Sequence, residues 1–267
     1  MEPSRYLECL AADYGDLRDA VASVEPTATV PSCPGWTVAD LVVHVAQVYL
    51  HKAAIMRTGE EPRPWPPPGL ARPAQSGQPV LPLLGRAYGE LRAQFRAHEP
   101  GESVPTWFGP DQTVAFWIRR MAQETVIHRI DAELAARLPV TPVPADLAAD
   151  GADEVLKRML AYSSQEWPED FAEQEGGHLA GHDGQDGQEG RDAIVIAVAR
   201  QAWTVRPSPP EIAVEDGGQD DPRVLIGWPP GAVLRWLWGR AGDDEVRLEG
   251  DPAWADYLRR LLAVVTR

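Results

Sequence analysis

The sequence predicts an α plus α+β chain, a four-helix bundle followed by a small α+β domain. Three observations carry this. Apolar residues recur at three- and four-residue spacings through most of the first 165 residues. Composition then turns to glycine and acid between residues 166 and 192. Beyond that the period drops to two, in short runs bounded by Pro, Gly and Asp. The expected division is a bundle over 1–165, a linker or loop over 166–192, and the α+β domain over 193–267.

Each element has its own signal. Residues 4–23 line up Tyr6, Leu7, Leu10, Tyr14, Leu17 and Val21 on one helical stripe. In "SCPGWTVADLVVHVAQVYLHKAAIMRTG", Pro34-Gly35 marks a turn and Thr37 with Asp40 has the spacing of a capping box. The helix that follows runs to about Arg57 and stops at Gly59. Eight prolines between Gly59 and Pro82 exclude helix interior and read as an extended surface loop. A third helix covers about 83–98, with Leu84, Tyr88, Leu91 and Phe95. A fourth covers about 111–138, ended by "LPVTPVP", and a shorter helix follows near 145–164. Four long helices joined by loops suggest an up-and-down bundle. The strands are "DAIVIAVA", "AWTVRP", "EIAVED" and "RVLIGW"; helices near 230–239 and 252–265 flank one more, "DEVRLEG".

Composition bounds the function. The net charge of −15 disfavours nucleic acid and anionic membrane surfaces as partners, since both would be repelled. An anionic small substrate stays open, because local arginines override the overall field. There is no run of 18 apolar residues, and the acidic N-terminus lacks the pattern of a signal peptide, so the expected compartment is the cytoplasm. Two cysteines, Cys9 and Cys33, give neither a disulfide framework nor a Cys-based zinc site, and structural burial is their default. Abundant Ala, Arg, Pro and Gly with very few Lys suggest a high-GC bacterial genome.

One helix poses a question. On a wheel of "RRMAQETVIHRIDAELA" and its flanks, Trp117, Met121, Glu124, His128 and Ala135 fall within roughly 60° of arc. Arg119, Gln123, Glu133 and Arg137 hold the opposite face. Glu124 and His128 thus share the apolar stripe one turn apart, where an i,i+4 pair can chelate one ion. A lone buried carboxylate costs several kcal/mol, so an arginine or a metal must neutralise it. His44 sits at the edge of the second helix's stripe, with Val48 and Ile55, and His51 lies two turns further on. If the two helices are neighbours, His44 faces the pair. Two imidazoles and a carboxylate with positions left open are the pattern of a catalytic zinc site. Spacing alone equally permits a hydrogen-bonded core histidine and a solvated Glu–His pair. Asp131 and Asp40 lie within one turn of His128 and His44 and can orient an imidazole, though caps and surface charges are the commoner use of such residues. Arg119 and Arg120 read as solvated or paired across the bundle. Trp65, in the proline-rich loop, is a candidate to fold over a ligand, and His51 to line the cavity and contact a cofactor.

"VPSCPGWTVADLVVHV" followed by "RRMAQETVIHRIDAELA" resembles the mycothiol-dependent maleylpyruvate isomerase family, and "WPPGAVLRWLWGRAGDDEVRLEGDPAWADYLRRLL" resembles that family's C-terminal α+β domain. The resemblance implies a DinB-like bundle. It also implies a divalent metal, usually zinc, held by His44, Glu124 and His128, and mycothiol as thiol cosubstrate acting on a small electrophilic substrate. By the same resemblance Arg240, in "LWGRAGDD", binds substrate or intermediate; the plain alternative is a surface arginine paired with Asp243 or Asp244. Two departures stand out. Gln123 occupies a position where the family often has histidine, and the proline-rich and Gly/acidic loops are long. A thiol is mostly protonated at neutral pH and is ionised by a dication, so such a site supports either isomerisation or S-transfer. A metal-dependent hydrolase and a non-enzymatic metal or small-ligand binder are the competing readings. His178 and His182 have ligand-like spacing in a Gly-rich acidic segment and read as solvated.

Overall fold

The computed structural model describes residues 1–66, 80–174, 192–208 and 211–266. The proline-rich stretch is described as far as Pro66 and again from Val80. Most of the Gly/acidic segment, with His178 and His182, lies outside the described residues. The chain divides into two compact units, Met1–Thr141 and Pro142–Arg267.

The first unit holds four long helices: α1 (Pro3–Ala22), α2 (Val38–Thr58), α3 (Val80–Ala97) and α4 (Val114–Ala135). Packing pairs α1 with α4 and α2 with α3, and α2 also lies against α4. The ends form where the sequence signals them. Thr37 caps α2 by accepting from Asp40 N while the Asp40 side chain receives the Thr37 backbone N–H, and Gly59 ends the helix at φ 72°. Thr113 caps α4 by accepting from Phe116 N. By length and composition alone α2 could cross a membrane, but half of its apolar stretch is buried inside the bundle.

Helix α4 differs from the expectation of one buried stripe. Arg119, Gln123 and Glu133, assigned to the face opposite Glu124, are buried too, and only Arg137 is exposed. The helix runs through the middle of the unit, and its charges are neutralised by pairing rather than by water. Arg129 is fully buried; its Nε donates to Asp13 Oδ1 on α1 at 2.8 Å, and its Nη1 to Glu133 Oε2 at 2.6 Å and to Thr141 O at 3.0 Å. This group of charges staples α1 and the chain after α4 to the central helix. Burial pushes the Asp13 carboxyl up to about 6, against the lowering influence of Arg129.

The second unit is built on a five-stranded sheet: β1 (Ile194–Val198), β2 (Gln201–Ser208), β3 (Glu211–Asp216), β4 (Val224–Gly227) and β5 (Arg247–Gly250), in the order β3-β2-β1-β4-β5. The β1–β4 pair is parallel and the other three are antiparallel. Helix α5 (Ala145–Asp153) continues through a π-helical stretch, Glu154–Ala161, into α6 (Tyr162–Glu166). Helices α7 (Pro230–Leu237) and α8 (Pro252–Val265) complete the unit. The helical segment after residue 145 was expected to belong with the bundle, with the domain boundary near 165. Instead its apolar residues Leu147, Ala148, Val155, Leu156 and Leu160 are buried within the second unit, against α7, α8, β1 and β3. Polar links tie it there: Trp203 Nε1 donates to Asp153 Oδ1 at 3.2 Å, and Ile212 N to Ser164 Oγ at 3.1 Å. The division between units therefore falls before this helix.

Candidate metal centre

The capping box that starts α2 sets the phase of the whole helix, and two turns in it presents His44. On α4 the same geometry presents Glu124 and His128. The structure brings the three together: one donor atom from each lies within 4.8 Å of the others. His44 Nε2 and His128 Nε2 both lie 3.1 Å from Glu124 Oε1. The two rings meet edge to face with centroids 4.9 Å apart. Side-chain exposure falls from 36% at His44 to 12% at Glu124 and 10% at His128, so the cluster opens to solvent at His44 alone.

The surroundings fix the orientation of each donor. His128 Nδ1 lies 2.9 Å from Asp131 Oδ2, which leaves Nε2 turned to the cluster. Asp131 is fully buried, and it also accepts from Ser32 Oγ at 2.5 Å and from Cys33 Sγ at 3.5 Å. The "SCPGW" loop is thus tied to the carboxylate that aims His128. The Asp40 carboxylate accepts from Thr37 N and Oγ1, which is its capping role. Arg120 donates to the second Glu124 oxygen from one turn away on the same helix. Arg120 is buried, which overturns the solvated alternative of the sequence reading.

Electrostatics follow from these contacts. Burial would push the Glu124 carboxyl up, but His128 and Arg120 hold it well below the usual carboxylate range. Burial would likewise lower His128, but Glu124 and Asp131 raise it to about 9. The metal-free cluster therefore keeps a proton on His128 at neutral pH. Two imidazole nitrogens and a carboxylate oxygen facing one point are a donor set that suits a zinc-type dication, and without a cation the arrangement depends on that proton. Affinity for a divalent ion is therefore expected to rise with pH, about tenfold per unit, up to pH near 9, as ion and proton compete for His128. Competition titration with a chelating dye across this range measures it, and a flat profile would contradict the assignment.

His51 lies two turns along α2 from His44. Its Nδ1 accepts from Lys52 Nζ at 2.9 Å, and the Trp65 ring is tilted against it at 4.8 Å between centroids. Burial and the neighbouring ammonium lower His51 to about 4, so it is neutral. Lys52 itself sits 4.4 Å above the Trp117 ring. Arg240 lies in the second unit at the end of α7; its Nη1 donates to Trp238 O at 2.5 Å and its backbone N to Arg235 O at 2.7 Å. Asp243, an expected alternative partner, accepts from Trp236 Nε1 at 2.6 Å and Arg259 Nη2 at 2.8 Å.

A helical bundle whose central helix aims a carboxylate and an imidazole at a histidine of its neighbour defines a protein with a candidate metal site. Residues 7–133 match the family described as mycothiol maleylpyruvate isomerase N-terminal domain. Two solved structures are similar to the chain: the mycothiol-dependent maleylpyruvate isomerase and a histidine-to-alanine mutant of it. Each gives a TM-score of 0.61 at 16% sequence identity, over 93% of this chain and 93% of that one. No curated protein sequence matches. The match bears out the family resemblance read from the motifs and the predicted order of a helical part followed by a sheet with helices.

Proposed function

We propose that the protein is a metal-dependent enzyme that uses a low-molecular-weight thiol, mycothiol, as nucleophile toward a small electrophilic substrate. The observation that carries this reading is the convergence of His44 Nε2, His128 Nε2 and Glu124 Oε1, backed by Asp131. His44, Glu124 and His128 would hold a divalent ion, zinc by donor type, which when bound would keep a cosubstrate thiol ionised. Asp131 accepts the Nδ1 proton of His128 and so keeps Nε2 available as a donor. Arg120 engages one Glu124 oxygen and leaves the other to face the histidines. The half-exposed edge at His44 is the side from which small molecules approach.

The thiolate sulfur would add to an electrophilic, doubly bonded carbon, with the displaced electron pair moving onto the conjugated oxygen. Rotation and expulsion of the sulfur complete a cis–trans isomerisation; an adduct that persists amounts to S-transfer. The match to an isomerase family supports the first outcome. Arg240 stays in the proposal as the cation for an anionic substrate or oxyanion, on the strength of the resemblance, and His51 as a wall of the cosubstrate's site.

A thermal-shift comparison of mycothiol with its thiol-free analogue, on metal-loaded protein, tests the reading. Ligand that binds only the folded state raises stability by about 2.7 kcal/mol at roughly 100 times its Kd. The expected result is stabilisation that requires the sulfur. Equal stabilisation by both compounds, or by neither, contradicts a thiol nucleophile at this centre.

A further inference from the structure

Arg120, Glu124 and His128 stand at i, i+4 and i+8 on α4, in one row along the helix. Side chains of a helix lean toward its N-terminus, so the Glu124 carboxylate lies over the turn of Arg120 and the His128 ring over the turn of Glu124. The carboxylate therefore meets different neighbours with each oxygen. Oε1 lies 3.1 Å from His128 Nε2 and 3.1 Å from His44 Nε2, while Oε2 accepts from Arg120 Nη2. The Arg120 side chain is 8% exposed, so water offers little competition for Oε2. Neutralising the carboxylate does not by itself call for the guanidinium. His128 faces it with a proton in the metal-free cluster, and a dication would do so in the loaded one. What Arg120 adds is direction.

Direction matters because a carboxylate binds a metal ion through one oxygen or through both. Two imidazole nitrogens and one oxygen give three protein donors and leave the fourth position of a tetrahedral ion to a small ligand. A second oxygen from Glu124 would crowd that position. It would also raise the coordination number toward what manganese and other oxygen-preferring ions favour. Charge-assisted hydrogen bonds are the strong ones, and the one already made at Oε2 opposes the turning of that oxygen to the ion.

We propose that Arg120 is a positioning residue: by holding Oε2 it confines Glu124 to one-oxygen coordination, which keeps a position open for the cosubstrate sulfur and favours zinc-type over oxygen-preferring dications. The proposal rests on the metal assignment above and deepens it. Arg120 acts through Glu124 rather than on the ion.

The test is visible absorption of the cobalt(II)-loaded full chain, without thiol, compared between wild type and Arg120→Met. Cobalt in a tetrahedral field absorbs strongly in the visible, and cobalt of higher coordination absorbs weakly. Wild type is expected to show the strong band and Arg120→Met to lose most of it. Arg120→Lys keeps one donor for Oε2 and is expected to restore the band. In competition titrations the preference for zinc over manganese should fall by about tenfold in Arg120→Met, the scale on which supporting partners of a metal ligand act. Circular dichroism follows the fold of each variant. Should methionine disturb it, zinc-loaded wild-type crystals give the answer without a variant: one Glu124 oxygen on the ion and the other on Arg120. The proposal is overturned by a weak band in wild type, by an unchanged band or an unchanged metal preference in Arg120→Met, or by both Glu124 oxygens on the ion in wild type. His44→Ala keeps this claim apart from the metal assignment. Cobalt uptake that survives that substitution defeats the assignment itself, whereas uptake that needs His44, with unchanged spectra, defeats only the role given to Arg120.

Discussion

Glu124→Gln is expected to strip the protein of bound divalent metal, weakening affinity by more than about 100-fold, since loss of a mere supporting partner of a metal ligand already costs 10–100-fold. Glutamine keeps the volume and one carbonyl oxygen for Arg120, so the fold should survive and circular dichroism should be unchanged. What it removes is the charge that both imidazoles face at 3.1 Å. It also removes the main influence that raises His128 to about 9. In the variant His128 gives up its proton more readily, so loss of metal cannot be blamed on a retained proton. His44→Ala should show the same loss from the other helix. Metal analysis after dialysis measures both, and a wild-type metal content in either variant would remove the basis for the triad.

The largest effect on stability is expected at Arg129→Met. This guanidinium is fully buried and joins Asp13 on α1 to Glu133 and the Thr141 carbonyl. Methionine fills much of the space but leaves two carboxylates in the interior without a counterion. Breaking a buried pair in this way costs about 3–5 kcal/mol, on the order of 10 °C in Tm for a chain of this size. The loss should depend on pH, with a definite sign. Asp13 already has its folded pKa raised to about 6 from an ordinary 3.8, so its protonation favours the folded state and that contribution fades as pH rises through 6. Without Arg129 the folded pKa climbs further. The deficit relative to wild type should therefore be smaller at pH 5 than at pH 8. Urea unfolding at the two values checks this, and an equal deficit at both would place the cost elsewhere.

The parts of the site that share a helical period were legible in the sequence. Glu124 and His128 are one turn apart on one element, and His44 follows from a helix whose start is written in Thr37 and Asp40. Asp131 was also within reach, one turn from His128. The loop that holds Asp131 was not, because Ser32 lies 99 positions away and no periodicity links a turn to the side of a distant helix. The solvated reading of Arg119 and Arg120 failed for one shared reason. A charged residue on a wheel is taken for the solvent face, but a helix at the centre of a bundle has no solvent face and must pair its charges internally. The segment after residue 145 was misplaced because its helical period says nothing about which surface it covers. Only the positions of β1 and β3 against it decide that it belongs with the sheet.

Diffraction from crystals of the zinc-loaded protein, recorded on both sides of the zinc absorption edge, tests the central claim most directly. The account predicts one strong anomalous peak about 2.0–2.2 Å from His44 Nε2, His128 Nε2 and a Glu124 oxygen. Stoichiometric zinc bound elsewhere, with Glu124 still hydrogen-bonded to both imidazoles and to Arg120, would contradict it.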